Sequence, residues 1–118
     1  MILALLLGKP PISSELTSAI KAGNAEKIAT YFGKSVDLSL PENEGVYSKT
    51  QAQLILKKFF EKNKPSGFKV VHNGDSKNNS HYSIGNLTTS KGSFRVYVLY
   101  KEHSGQTTLI ELKIESDE

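Results

Sequence analysis

The stretch SKTQAQLILKKFFEKNKP, residues 48–65, decides the fold, because it carries the start, the apolar face and the stop of one long helix. Ser48 and Gln51 have the spacing of a capping box, in which each side chain satisfies a backbone amide of the other residue. Apolar residues then recur at helical spacing, and they predict a buried stripe of Ala52, Ile55, Leu56, Phe59 and Phe60. Pro65 ends the helix, because it cannot continue the backbone hydrogen bonding.

Two short helices are predicted on the N-terminal side of this stretch. Ser13 or Ser14 can cap a first helix that runs through Ala22. Asn24 can cap a second helix directly afterwards, and Gly33 is its expected stop. Both helices are short and end in glycine, so we expect them to form a helical corner.

A strand is predicted between this corner and the long helix. Residues 35–40, SVDLSL, alternate between apolar and polar side chains, as in a half-buried strand. Val36, Leu38 and Leu40 would share its buried face. Pro41 stops the strand, and we expect residues 42–45 to form a polar, acidic loop.

The second half of the chain changes to a period of two, which predicts strands. Four segments carry this alternation: residues 67–72, 81–89, 93–101 and 107–115. Short stretches with turn composition separate them: residues 73–80, 90–92 and 103–106. Connections this short favour antiparallel neighbours, so we expect a four-stranded meander. In the last strand the alternation predicts one shared face for Thr108, Ile110, Leu112 and Ile114.

Composition excludes several classes of function. The chain has 118 residues, which favours one domain, and it has no cysteine, which excludes disulfides, thiolate nucleophiles and cysteine-ligated zinc. Its net charge of +3 comes from 15 basic and 12 acidic residues that are interleaved along the chain, with a single arginine. A nucleic-acid binder usually shows an arginine-containing basic stripe, so we expect no nucleic-acid partner.

The N-terminal residues 1–8, MILALLLG, are apolar but too short to span a membrane, which takes about 20 residues. They are interpreted either as the core of a truncated signal peptide or as an apolar arm packed on the domain. With the spacer that follows, this gives a leader over residues 1–12 and a domain over residues 13–118. The first interpretation predicts a periplasmic or secreted protein, and the second a cytoplasmic one.

The order of helix, helix, strand, long helix and four strands is that of an α+β domain. Residues 24–60 resemble the nuclear transport factor 2-like superfamily, which includes ketosteroid isomerases and SnoaL-like proteins. The likeness rests on the aromatic pair Tyr31-Phe32 before a short strand, the Glu44-Gly45 loop, and the pair Phe59-Phe60 that ends the long helix. It implies the cystatin-like fold: a cone-shaped, curved, mostly antiparallel sheet wrapped around the long helix and the two short N-terminal helices, with a pocket at the open end.

Three stretches are similar to one family within that superfamily, a Bacteroidota family of small exported proteins of unknown function. They are AIKAGNAEKIATYF, EGVYSKTQAQLILKKFFEKN and YSIGNLTTSKGSFRVYVLYK, at residues 19–32, 44–63 and 82–101. This resemblance implies a fold and export in a bacterium, but it implies no chemistry.

The isomerases of the superfamily hold a catalytic carboxylate just before a proline that follows the first strand. Here that position is Leu40, which cannot accept a proton, and Asp37 lies on the polar side of the strand. A non-catalytic binding or protein-interaction module is therefore the first hypothesis. The alternative is a small-molecule lyase or isomerase of the ketosteroid isomerase type, with catalytic candidates Asp37, Tyr47, His72 and Tyr82.

A ligand pocket would use aromatic and cationic side chains, and the candidates are Tyr47, Phe60, Tyr82, Arg95 and Tyr97. Arg95 can bind an anionic group, but a cross-strand ion pair with Glu111 is the favoured interpretation. The partner is an unknown small molecule or a protein, and homodimerisation through the outer face of the sheet is a further expectation.

The histidines do not predict a metal site. We expect no carboxylate next to either His72 or His81, and their spacing matches no ligand motif. We therefore expect neither a metal nor another cofactor.

Overall fold

In the computed structural model, which describes residues 12–117, six strands form one sheet and three helices pack on it. The elements are α1 (Ser14–Ala22), α2 (Ala25–Ala29), β1 (Phe32–Leu40), β2 (Asn43–Ser48), α3 (Lys49–Lys62), β3 (Pro65–Asp75), β4 (Ser80–Thr89), β5 (Gly92–His103) and β6 (Gln106–Ser116). The strand order is β2-β1-β6-β5-β4-β3, and β1 and β6 are parallel while the other neighbours are antiparallel. The predicted α+β class and the curved, mostly antiparallel sheet are confirmed.

The helix α3 forms as the sequence predicts. Ser48 Oγ accepts a hydrogen bond from the Gln51 amide, and Gln51 Oε1 accepts one from the Ser48 amide, each at 3.2 Å. Ala52, Leu56 and Phe60 are buried on one side of the helix. Its half-buried neighbours Ile55 and Phe59 border that stripe. The capping box and the apolar stripe therefore orient α3 against the sheet.

The first two helices also form, but the second is shorter than predicted. Ser13 caps α1 by accepting a hydrogen bond from the Leu16 amide at 3.1 Å. The helix α2 ends at Ala29, and Gly33 lies in β1, so the prediction that Gly33 stops this helix is wrong. The cause is strand pairing, because the Tyr31 carbonyl accepts a hydrogen bond from the Leu109 amide at 2.7 Å.

The segment predicted as an acidic loop is largely the strand β2. Leu40 pairs with Asn43, so residues 41 and 42 are a two-residue turn and the chain returns along β1. The prediction of a loop over residues 42–45 is therefore wrong. The strand β2 lies at the edge of the sheet and hydrogen-bonds only to β1. Its side chains can therefore be polar and largely exposed, as they are here. Its composition consequently carries little strand signal.

A β-bulge changes the face of the last strand. Leu99 pairs with Glu111 but Tyr100 pairs with Leu109, which leaves Ile110 as the extra residue. Leu109 is buried and Thr108 is exposed, so the predicted shared face is wrong for Thr108. Beyond the bulge, Leu112 and Ile114 are buried as predicted; the rest of the meander is confirmed.

The core lies between the helices and the face of the sheet that we call the inner face. Its largest fully buried side chains include Leu16, Ile20, Ile28, Leu38, Leu56, Leu87, Tyr100, Leu109, Leu112 and Ile114. A Cβ atom added to Gly85 would lie 2.6 Å from the Phe68 ring, so glycine is required for that ring to pack on β4. The opposite side of the sheet, the outer face, is not covered by the helices.

The predicted leader over residues 1–12 lies outside the described residues, apart from Ile12, which is buried. Within residues 12–117, the helices are all too short or too polar to cross a membrane.

Candidate functional site

A groove of about 930 Å³ opens between the C-terminal half of α3 and the end of the sheet. Leu40, Ile55, Phe59 and Phe94 supply large apolar side chains to its lining. Charged side chains also line it: Glu42, Lys58, Glu61, Lys62 and Lys91. The lining therefore combines apolar and charged side chains in similar numbers, which would suit a small amphiphilic molecule.

The apolar part of this groove is held in place by aromatic packing. The Phe59 ring meets the Phe94 ring edge-on, with centroids 5.2 Å apart, and the Phe60 ring at 5.5 Å. Phe60, a predicted ligand-binding residue, is buried behind Phe59 in the core. The Phe59 ring is therefore backed by the buried Phe60 and Phe94 side chains.

One ion pair connects the two sides of the groove. Lys62 Nζ at the end of α3 lies 3.5 Å from Glu42 Oε1 in the turn between β1 and β2. Both side chains are more than two-thirds exposed, so this pair contributes little to stability. It adds polar groups to the groove, while Leu40 beside it contributes hydrocarbon.

The four catalytic candidates are not gathered at one point. Tyr47 lies opposite Val36 on the inner face, with its ring near Gly45. Asp37, His72 and Tyr82 lie on the outer face, where Asp37 is three strands away from Tyr82. Only His72 and Tyr82 are in contact, with 3.2 Å between His72 Nε2 and the Tyr82 hydroxyl.

Aromatic rings form a row on the outer face. The His72 and Tyr82 ring centroids are 5.7 Å apart, and Tyr82 stacks on Tyr97 at 5.9 Å. Ile84 and Leu99 lie beside these rings and are half-buried. The predicted ligand-binding residues Tyr82 and Tyr97 are thus together, but on the opposite side of the sheet from Phe60 and Tyr47.

Two carboxylates stand side by side next to this row. Asp37 and Glu111 are paired across the parallel strands β1 and β6. Burial raises the pKa of Glu111, the Asp37 charge raises it further, and Lys113 partly opposes them. The pKa of Tyr97 is also raised, chiefly by burial and then by Glu111 and Tyr82. This part of the outer face therefore disfavours negative charge.

Arg95 does not pair with Glu111, so the favoured interpretation from the sequence is wrong. Its Nη2 lies 3.5 Å from Asp117 Oδ1, and its cross-strand neighbour on β6 is Glu115. Glu111 lies opposite Leu99 instead. The turn between β5 and β6 sets this register, and the sequence does not reveal it.

A histidine–carboxylate pair was missed in the sequence. His81 Nδ1 lies 2.9 Å from Asp75 Oδ1, and the His81 ring lies 5.6 Å from that of Tyr100. The expectation that His81 has no nearby carboxylate is wrong because β3 extends through Asp75 and pairs it with His81. Within residues 12–117 no three histidine, aspartate or glutamate side chains are placed to hold a metal ion.

The chain is similar to proteins of one family along nearly its whole length. A family model described as a domain of unknown function, DUF4783, matches residues 13–115. The crystal structure of a DUF4783 family protein from Bacteroides ovatus superposes with a TM-score of 0.82 at 31% identity, covering 91% of this chain and 96% of that chain. The resemblance inferred from the sequence is confirmed. No curated protein matches the chain.

More distant solved structures share the fold alone. A domain of unknown function with a cystatin-like fold from Nostoc punctiforme has a TM-score of 0.68 at 10% identity, covering 88% of this chain and 72% of that chain. An NTF-2-like protein of unknown function from Burkholderia xenovorans has a TM-score of 0.62 at 13% identity, with 88% and 79% covered. These likenesses agree with the predicted superfamily.

Proposed function

The chain belongs to the DUF4783 family, and from that premise we propose that it is a non-catalytic binding module whose groove beside α3 takes a small amphiphilic molecule. The observation that carries the proposal is Leu40, which lines the groove with hydrocarbon. The resemblance to the superfamily implies that its isomerases hold their base at this position. A hydrocarbon side chain can bind an apolar group but cannot transfer a proton.

The lining of the groove supports an amphiphilic ligand. Ile55, Phe59 and Phe94 offer apolar surface, and burying a ligand against it is favourable by about 25 cal/mol per Å² of apolar area. Lys58 and Lys91 stand on different walls, one on α3 and one in the turn between β4 and β5. A ligand with an apolar body and an anionic group would satisfy both kinds of surface.

The fluorescent anion 1-anilinonaphthalene-8-sulfonate is a suitable probe for this groove. Ile55→Glu should weaken its binding about tenfold or more, because a charge replaces apolar lining. Leu54→Glu is the matched control, since Leu54 is on the same helix, is 55% exposed and does not line the groove. Circular dichroism checks that both variants fold. Equal weakening by both substitutions, or by neither, would refute binding in this groove.

The alternative of a lyase or isomerase has less support. Its candidates Asp37, His72 and Tyr82 lie on the outer face and Tyr47 lies on the inner face, so no single ligand in the groove reaches them all. A general base must lie within hydrogen-bonding reach of the proton that it removes.

A second candidate function is self-association through the outer face. The observation that favours it is the row of Tyr82, Tyr97, Ile84 and Leu99 on a face that no helix of the described chain covers. Aromatic side chains on such a surface are typical of protein interfaces. Light scattering over a concentration series tests this function, and a monomer throughout would contradict it.

Export is a third part of the proposal, supported by the apolar residues 1–8. Mass spectrometry of the N-terminus, on protein recovered from cell fractions, tests it. A full-length chain confined to the cytoplasm would contradict it.

A further inference from the structure

We infer that the groove selects anionic single-chain amphiphiles by exchange of an ion pair: the anionic head of the ligand takes the place of Glu42 at Lys62, and its hydrocarbon chain lies along Ile55 and Phe59. This inference rests on the proposed function of the groove and adds the class of ligand and the residues that recognise it. Three observations carry it: the order of side chains along α3, the meeting of the two walls, and the exposure of the ion pair.

The lining supplied by α3 changes from apolar to cationic toward the end of the helix. Ile55 and Phe59 are four residues apart, so they lie on the same face of the helix, and both are half-buried. Lys62 follows Phe59 by three residues and continues that row in the last turn. At a rise of about 1.5 Å per residue, the row from Ile55 to Lys62 is about 10 Å long. An extended alkyl chain with one charged end fits this order of side chains.

The wall supplied by the sheet also changes from apolar to charged. Leu40 and Phe94 are buried apolar residues of this wall, and the Phe94 ring meets the Phe59 ring edge-on. Glu42 follows Leu40 by two residues, in the turn between β1 and β2. Its carboxylate lies 3.5 Å from Lys62 Nζ, so the charged ends of both walls meet at one point. A ligand whose chain occupies the apolar part therefore places its head beside this pair.

The ion pair can be exchanged at little cost. The side chains of Lys62 and Glu42 are 71% and 79% exposed, and exposed pairs of this kind contribute little to stability. Neither side chain forms a second ion pair with any residue from 12 to 117. Glu42 can return to water when an anion replaces it, because most of its side chain is already hydrated. The exchange keeps an opposite charge beside Lys62 and removes the hydrocarbon chain of the ligand from water.

The charges that line the groove favour an anionic head over a cationic one. Three lysines, Lys58, Lys62 and Lys91, face two glutamates, Glu42 and Glu61, which leaves an excess of one positive charge. A cationic head would compete with Lys62 for Glu42 and would be repelled by the other lysines. We therefore expect decanoate to bind more tightly than decyltrimethylammonium, which has a chain of the same length and the opposite charge.

Isothermal titration calorimetry of the full chain with monomeric decanoate tests the exchange. Lys62→Gln should weaken binding about two- to fivefold, because it removes the cation that holds the head. Glu42→Gln should strengthen binding by a similar factor, because it removes the carboxylate that competes for Lys62. In the Lys62→Gln background this gain from Glu42→Gln should be lost, since the two residues act through one contact. Decanol, a neutral probe with the same chain, measures whether each variant keeps its apolar lining.

Glu61→Gln is the matched control for Glu42→Gln. Glu61 also lines the groove and is exposed, but it forms no ion pair within the part of the chain that the structure describes. Its substitution removes the same charge from the lining without freeing Lys62, so it should strengthen decanoate binding less than Glu42→Gln does. Equal gains from the two substitutions would show a general effect of charge and would overturn the exchange.

The outcomes separate this inference from the proposed function. If decanoate and decanol bind but Lys62→Gln weakens neither, the exchange is overturned and the groove remains a binding site. If 1-anilinonaphthalene-8-sulfonate binds in the groove and decanoate does not, the single-chain class is overturned. If all three probes fail to bind at about 1 mM, the proposed function is overturned as well.

A second substitution at Lys62 covers the case in which Lys62→Gln also loses decanol binding. Lys62→Arg keeps the positive charge, so decanoate should still bind to this variant, and Glu42→Gln should still strengthen that binding. Absence of any gain from Glu42→Gln in the Lys62→Arg background would overturn the exchange.

Discussion

Glu111 is a residue whose charge the folded chain disfavours. Burial and the neighbouring Asp37 raise its pKa above the ordinary value of 4.5, so the folded state holds its proton at a pH where the unfolded state has lost it. Above its folded pKa the charge therefore lowers stability. Glu111→Gln should raise the free energy of unfolding at pH 7 by about 0.2–1 kcal/mol, the range of a cross-strand charge pair.

This gain should shrink as the pH falls through 4.5 and vanish well below that value, because both states of the natural chain are then protonated. Urea unfolding at pH 7 and pH 4, with dilute protein, measures the difference. Glu44→Gln is the control, since Glu44 is exposed on the edge strand β2. A gain of equal size at both pH values would show that charge is not its cause.

At the scale of single residues, local signals were readable in the sequence and pairings were not. Ser48 and Gln51 form the predicted capping box because its geometry depends only on neighbours within one helical turn. The partners of Arg95 and His81 were missed because they depend on strand register. Leu40 was identified at the position of the isomerase base, yet its place in a groove appeared only in the structure.

At the scale of elements, α3 should contribute stability through one face only. Leu56 is fully buried, whereas Leu54, two residues earlier, is 55% exposed. Leu56→Ala should cost about 2–5 kcal/mol, because it removes buried hydrocarbon and leaves a cavity. Leu54→Ala should change stability by less than about 0.5 kcal/mol. Chemical denaturation of the two variants measures both effects.

A large cost for Leu54→Ala would contradict this account, because it would mean that a surface outside the described residues covers Leu54.

Leu54 and Leu56 also show why helices were better predicted than strands. The period of α3 distinguishes its two faces within the sequence itself. The strand β2 is stabilised by pairing with β1, and the bulge at Ile110 by its fit to β5, so neither has a local signature.

At the scale of the whole molecule, the sheet separates two surfaces with different physics. The groove is lined by Ile55, Phe59 and Phe94 beside charged side chains, whereas the outer face carries the aromatic row of Tyr82 and Tyr97 next to the carboxylates of Asp37 and Glu111. The helices pack on the inner face, so the two surfaces lie on opposite sides and can act independently. The sequence predicted the fold, but the division into these surfaces follows from the register of six strands.

Salt should distinguish the two surfaces. Raising the ionic strength from about 0.1 M to about 1 M shortens the screening length from about 10 Å to about 3 Å, so interactions between exposed charges lose much of their strength. We expect binding of the anionic probe beside Lys58 and Lys91 to weaken, whereas the proposed self-association through Tyr82, Tyr97 and Leu99 should persist in sedimentation. Binding of an uncharged apolar probe in the groove should not weaken. Self-association that is lost at about 1 M salt would show that charges, and not apolar contact, drive it.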